Sequence, residues 1–170
     1  MGFTAAGISP TTVTTAAEGA QAPLGFRLTV PQGDNGMAEY VYIKSAGDIK
    51  VGNICGQSGV VPYTATLATA TLEANKVYGV AQVDIPSGSF GFVLARGFCP
   101  KIATFSTSVP AAGDQILSGQ VSSADGFALA NDLGNEAKVA GDLGHLLTVG
   151  AADTTVGTFN YGTAMIDCRG

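Results

Sequence analysis

The chain reads as all-β, a small antiparallel β-sandwich or barrel with an extended N-terminal arm. Three observations lead there. Ten or so short β-rich runs recur at near-regular spacing, punctuated by Gly and Asp. Twenty-four of the 170 residues are glycine and none is tryptophan. One stretch, Val77 to Gly97, alternates with period two on either side of Pro86-Ser87-Gly88-Ser89. Val77, Ala81, Val83 and Ile85 share one face of its first run, and Phe90, Phe92 and Leu94 share one face of its second. The opposite faces carry Tyr78, Val80 and Val93, so this β-hairpin requires cover on both sides.

The remaining elements follow in order. Residues 1–22 mix Thr, Ala, Gly and Ser around isolated Phe3, Ile8 and Val13 without a sustained period, which is the pattern of an arm. Leu24 to Val30 reads as a short strand closed by Pro31 and the turn Gly33-Asp34-Asn35-Gly36. Residues 1–35 are therefore expected to hold the arm and first strand, and 36–170 the β-domain. Met37 to Ser45 sets Ala38, Tyr40, Tyr42 and Lys44 against Glu39, Val41 and Ile43, a strand with its aromatics on one side. Ala46-Gly47-Asp48 turns into a strand reaching Cys55. Thr64 to Lys76 suits a short helix by its Ala and Leu or a strand by its Thr; the Thr spacing favours a loop with strand character. Ile102 to Val109, Gly126 to Ala130 and Ala137 to Val139 read as strands, Asp142 to Thr148 stays ambiguous, and Phe159 to Cys168 is the final long strand. Two short echoes, Ala-Gly-Asp at 46–48 and 112–114 and Tyr-Gly at 78–84 and 161–167, suggest related strand sets, although shared turn chemistry produces the same pattern.

Composition excludes several classes. Charged residues make up 12% of the chain, against about 25% in an ordinary domain, which points to surface meant for other protein. The net charge of −5, with five Lys and three Arg scattered, argues against nucleic acid. No apolar run approaches the ~18 residues of a membrane span. Ala20-Gln21-Ala22 mimics a signal-peptidase site without a basic or apolar region ahead of it, so the chain is not expected to be secreted; Ala6 stands where a myristoylation signal has Ser or Thr. Cys55, Cys99 and Cys168 form no CxxC pair and no zinc spacing, which favours reduced, buried thiols and leaves one disulfide open.

Motifs that carry chemistry are missing. The single His145 reads as a structural or surface residue. No Gly-x-Ser-x-Gly elbow, phosphate loop or dinucleotide fingerprint is present. Asp125 to Glu136 gathers acids and Asn in a loop-like stretch, but without the spacing of a calcium loop it reads as a solvated turn. Asp84 and Asp167 read as strand-edge residues. No catalytic residue, cofactor or metal ligand is expected.

Several pieces occur in an informative order: Tyr78-Gly79-Val80-Ala81, Ile85-Pro86-Ser87-Gly88, Phe90-Gly91-Phe92-Val93 through Ala95-Arg96-Gly97, then Val109-Pro110-Ala111-Ala112-Gly113-Asp114. In that order they resemble the capsid decoration, or cement, proteins of tailed bacteriophages, over about a quarter of the chain. The resemblance implies a non-enzymatic virion protein on the outer surface of an icosahedral capsid, synthesised in the host cytoplasm. Its expected partners are the major capsid protein and itself, as a homotrimer. Residues 1–35 match nothing in the family, so Phe3, Ile8, Val13, Leu24 and Phe26 are expected capsid or subunit contacts on an arm that reaches on the order of 70 Å when extended. The alternative reading is a carbohydrate-binding or adhesin-like β-domain such as a phage head fibre, for which Tyr40, Tyr42 and Tyr63 are the candidate aromatics.

Overall fold

A computed structural model describes residues 7–68, 76–105, 112–113, 115–118, 128–131, 142–149 and 159–168. Phe3 and Ala137 to Val139 lie outside them. The chain is all-β, with strands β1 (Arg27–Pro31), β2 (Met37–Ser45), β3 (Ile54–Gln57), β4 (Thr64–Leu67), β5 (Val77–Ala81), β6 (Phe90–Phe105), β7 (Gln115–Ser118), β8 (Ala128–Asn131), β9 (Asp142–Val149) and β10 (Phe159–Asp167). A single 3-10 turn, Gly33–Asn35, joins β1 to β2.

The ten strands form one sheet in the order β1-β2-β4-β3-β5-β6-β10-β9-β7-β8, and two further pairings, β2 with β6 and β6 with β8, close it twice. The first closure makes a five-stranded ring of β2, β4, β3, β5 and β6, the second a ring of β6, β8, β7, β9 and β10. Both have the same connectivity. In each, the first and third strands run parallel (β2 with β4, β6 with β8) and the other neighbours are antiparallel. The fold is thus of the barrel kind. The two parallel pairings depart from the purely antiparallel expectation, because side-chain alternation reports a strand's faces and not the direction of its neighbour.

The first ring's interior holds Val41, Ile43, Cys55, Ala65, Ala81, Val93 and Ala95, with Ile49 and Ile85 paired across its end. Three of the nine are alanine, as a narrow five-stranded barrel requires. The opposite face of β2 and β6 carries Tyr40, Tyr42, Phe92 and Leu94. It forms one continuous cluster with Leu28 and Val30 of β1 and with Cys99, Ile102, Leu146, Ala164 and Ile166 of the second ring. Within it Tyr42 packs at 4.8 Å on Phe92. The expected hairpin is therefore central and covered on both faces.

Its details differ from simple alternation. β5 and β6 pair at only Val80↔Leu94 and Ala81↔Val93, and Ile85 bonds instead to Ile49 (N···O 2.8 and 3.0 Å). Val77 does not share a face with Ala81: it joins Val80 in the larger cluster. The cause is a bulge. Ile54 faces Val80, Cys55 faces Gly79 and Gly56 faces Val77, which leaves Tyr78 as the extra residue. Gly79 has φ 152°, and a Cβ there would overlap the carbonyl oxygen of Leu94. The second ring repeats the device: Gln115 faces His145, Ile116 faces Gly144 and Leu117 faces Asp142, Gly144 has φ 131°, and a Cβ there would overlap the carbonyl of Met165.

The strand expected from Ile102 begins instead at Phe90 and runs through Pro100 without a break. Pro100 is tolerated because β10 pairs with Cys99 and Ile102 across a register shift, so the missing N–H falls where the ladder is interrupted. Of the other expected strands, Thr64 to Lys76 supplies the short β4, and the ambiguous 142–148 is a strand, β9.

Gly79→Ala is expected to lose about 2–3 kcal/mol in urea unfolding, from backbone strain and overlap together. Gly33→Ala, also at positive φ but with open space around it, should lose about 1 kcal/mol or less. Equal losses at the two positions would remove the close approach as the reason for glycine at 79.

Candidate functional site

The N-terminal segment lies along its own domain. Thr14 is buried and pairs with Phe90 through two backbone bonds (Thr14 N to Phe90 O 3.0 Å, Phe90 N to Thr14 O 2.7 Å). The Tyr42 hydroxyl accepts from Gln21 N at 3.1 Å and lies 3.4 Å from Thr14 Oγ1. Ile8 and Leu24 pack against the larger cluster and Val13 against the first ring's core. Phe26 touches Phe92 edge-on at 6.5 Å yet stays 38% exposed. Of the five expected contact residues, then, Ile8, Val13 and Leu24 face inward, Phe26 faces outward and Phe3 lies outside the described residues. Thr, Ala and Gly offer little apolar area, but the backbone pairing at Thr14 and the open aromatic face of β2 and β6 supply a seat.

Gly25 ends this strap. A Cβ on it would overlap the Tyr63 ring, so the strap's end is pinned to the connection between β3 and β4. That loop is closed by bonds from Ser58 N to Thr64 O (2.7 Å) and Thr64 N to Val61 O (3.3 Å), and Gln57 Nε2 donates to Gly59 O at 3.0 Å. Its tip turns two valines to solvent, Val60 91% and Val61 56% exposed, followed by exposed Pro62. Tyr63 is the one non-glycine among the described residues at positive φ (57°). It is held there by stacking on Tyr78 at 5.4 Å and by its N–H donating to the Tyr78 hydroxyl at 2.9 Å. Burial raises the Tyr78 phenol, and the bond from the Tyr63 N–H opposes that shift. Val60, Val61 and Pro62 thus form an outward, uncharged apolar tip on this loop, whereas the Phe26 ring packs against Phe92. No charged residue occurs from Val51 through Leu72. Sequence reasoning missed the loop; its signal was a Val-Val-Pro run inside that uncharged stretch.

A second concavity, about 570 Å³, lies where the rings meet and is lined by Met37, Glu39, Arg96, His145, Met165 and Asp167 among others. Glu39 and Asp167 stand opposite Arg96 on its two sides, and Arg27 pairs with Glu39, so charges of alternating sign run across four adjacent strands. His145 is exposed on the cleft wall. Among the described lining residues Thr29 is the one hydroxyl side chain, and none is a serine or cysteine.

Asp84 accepts from Val51 N (2.8 Å) and Lys50 Nζ (3.2 Å), and those bonds lower its carboxyl; it ties two loops together at the end of the first ring. The acidic stretch from Asp125 contributes β8 and otherwise lies outside the described residues. No group of three or more His, Cys, Asp or Glu suited to a metal occurs among the described residues. The three cysteines are free and buried. Cys99 faces Ala164, whereas Cys168 bonds to Ala95 from the far end of β10, so these two are held apart along the ladder.

No protein-family model matches the chain, and no curated protein does. Among solved structures it is similar to the N base of the head fibre gp8.5 of bacteriophage phi29, at 16% identity over 75% of this chain and 92% of that one, with a TM-score of 0.46. A likeness of that size carries no argument about this chain's role.

Two outcomes follow from the geometry. Burial pushes the Cys55 thiol up to about 12 and Cys99 to about 11, and raises Cys168 as well. The folded state thus holds thiol protons more tightly than the unfolded state. The resulting stability is complete below about pH 8.5 and is lost as pH rises toward the folded values. Unfolding free energy should fall above that pH, less steeply in Cys55→Ala, and a thiol reagent should label none of the three in the native protein at pH 7; rapid native labelling would contradict their burial. Separately, deleting residues 1–22 removes the Thr14 bonds and both Tyr42 hydroxyl contacts. Stability should drop by about 4 kcal/mol at roughly 1 kcal/mol for each of these four contacts, and an unchanged melting curve would show that the strap contributes nothing.

Proposed function

We propose that the chain is a structural component of a tailed-phage virion, bound on the outer surface of an icosahedral capsid and stabilising the shell without catalysis. The observation that carries this reading is the outward, uncharged apolar tip of Val60, Val61 and Pro62, on a loop closed by its own hydrogen bonds. Contiguous exposed apolar surface on a soluble domain marks a protein contact. Two features of the sequence support the reading: the ordered motifs that resemble decoration proteins, and a charged fraction of 12%. The partner is the major capsid protein, and the chain acts as a homotrimer. Many copies, each docking through a modest patch, hold a shell by multivalent contact. Of the expected contact residues, Phe26 is partly exposed beside Phe92, while Ile8, Val13 and Leu24 act by holding the strap against the domain.

Co-sedimentation with empty phage shells tests the proposal. The intact chain is expected to pellet with shells, and Val60→Glu with Val61→Glu to weaken binding at least tenfold, about 1.4 kcal/mol or more, with the melting temperature nearly unchanged because both side chains are exposed. Light scattering should give the trimer mass. Undiminished binding by the double variant would move the attachment surface elsewhere; absence of binding by the intact chain would end the capsid reading.

A further inference from the structure

The aromatics named for a carbohydrate reading do not form a platform. Tyr40 and Tyr42 are buried, and Tyr42 is spent on the strap. Tyr63 is different. With Tyr78, which simple alternation along its strand gave no reason to single out, it walls a pocket of about 200 Å³ that also meets Arg27, Gln57 and Pro62.

We propose that this pocket, beside the Tyr63–Tyr78 stack, binds one uncharged sugar residue of a glycan. The walls decide the ligand class. Both rings are only half-buried and offer the apolar surface that the C–H side of a pyranose covers. Polar capacity is left over in the right kinds. Tyr78 accepts from the Tyr63 N–H, and its own O–H proton is donated to no acceptor among the described residues. Gln57 spends its amide N–H on Gly59 and keeps its carbonyl oxygen. Arg27 is committed to Glu39 through one nitrogen, which offsets its charge while leaving further N–H donors. Donors and an acceptor side by side suit a hydroxyl, which both gives and takes a hydrogen bond. Among the described lining residues a cation finds no carboxylate, and an anion finds one guanidinium already paired. The pocket, about 200 Å³, has room for a sugar ring. The site is also preorganised. Tyr63 sits at φ 57°, a conformation that persists only when its surroundings enforce it, and here the Tyr78 hydroxyl and Gly25 do so. The inference is independent of the capsid reading.

The test titrates the full chain separately with glucose, galactose, mannose and N-acetylglucosamine, following calorimetry and the tyrosine ring signals by NMR. Glucuronate serves as a charged probe. At least one neutral sugar is expected to bind with a millimolar dissociation constant and to shift the Tyr63 and Tyr78 signals. Gln57→Ala should weaken that binding tenfold or more at an unchanged melting temperature, and Tyr78→Phe should weaken it as well while lowering the melting temperature, because the Tyr63 N–H loses its acceptor. Should Tyr78→Phe fail to fold, Gln57→Ala decides alone. No shift with any of the four sugars, full affinity in Gln57→Ala, or tighter binding of glucuronate than of every neutral sugar overturns the proposal.

Discussion

Everything in this molecule depends on β6 being shared. Over sixteen residues the strand is paired on one edge by β2 and then β8, and on the other by β5 and then β10. It is the last strand of one ring and the first of the next. A strand that serves two closures must twist and shift register as it passes between them. The irregularities fall where that demand is greatest, between Glu39 and Tyr40 opposite its middle and between Gly162 and Ala164 opposite Pro100. Because the face of β6 bearing Phe92 and Leu94 packs continuously into the second ring's Ile102, Leu146 and Ala164, the two rings share a core.

Closure also determines which parts of the surface are open to partners. Every ring strand has neighbours on both edges somewhere along its length, and β1 alone is paired on one side among the described strands. That strand is five residues long and carries exposed Arg27 and Pro31, which discourage the addition of another strand. Among the described residues, the surface that no strand pairing occupies thus lies on loops, on the strap and on the one free edge of β1. Exposed Val60 and Val61 lie at one such place, next to Tyr63, where the strap's end and the β3–β4 loop hold each other.

The internal repeat shows how a sequence pattern and a structural one diverge. The Tyr-Gly echo sets 78–84 beside 161–167, but the first lies on the fourth strand of its ring and the second on the fifth, so the match does not follow the duplication. The two Ala-Gly-Asp turns do fall between equivalent strands, at different distances from them. The positions that correspond are Gly79 and Gly144, each one residue beyond a bulge and each touching the backbone of the next strand. Their neighbours, Tyr78-Val80 and Leu143-His145, have nothing in common as letters. What recurs is the absence of a Cβ, a constraint that a comparison of side chains passes over.

The sequence by itself determined the fold class, the central place of Val77 to Gly97 and the two faces of Met37 to Ser45, because period-two burial is local and is written residue by residue. It also showed the poverty of charge and of catalytic motifs. Only the tertiary structure decided that the sheet closes twice, that two pairings are parallel, and that residues 8–24 lie against their own domain, since each depends on which distant strand supplies the hydrogen-bond partner. The same reason hid the candidate sites. Tyr63 and Tyr78 are fifteen positions apart, and Gly25 is farther still, so nothing in their spacing foretells a stacked pair pinned to a glycine. Long-range pairing across a closed sheet brings them into contact.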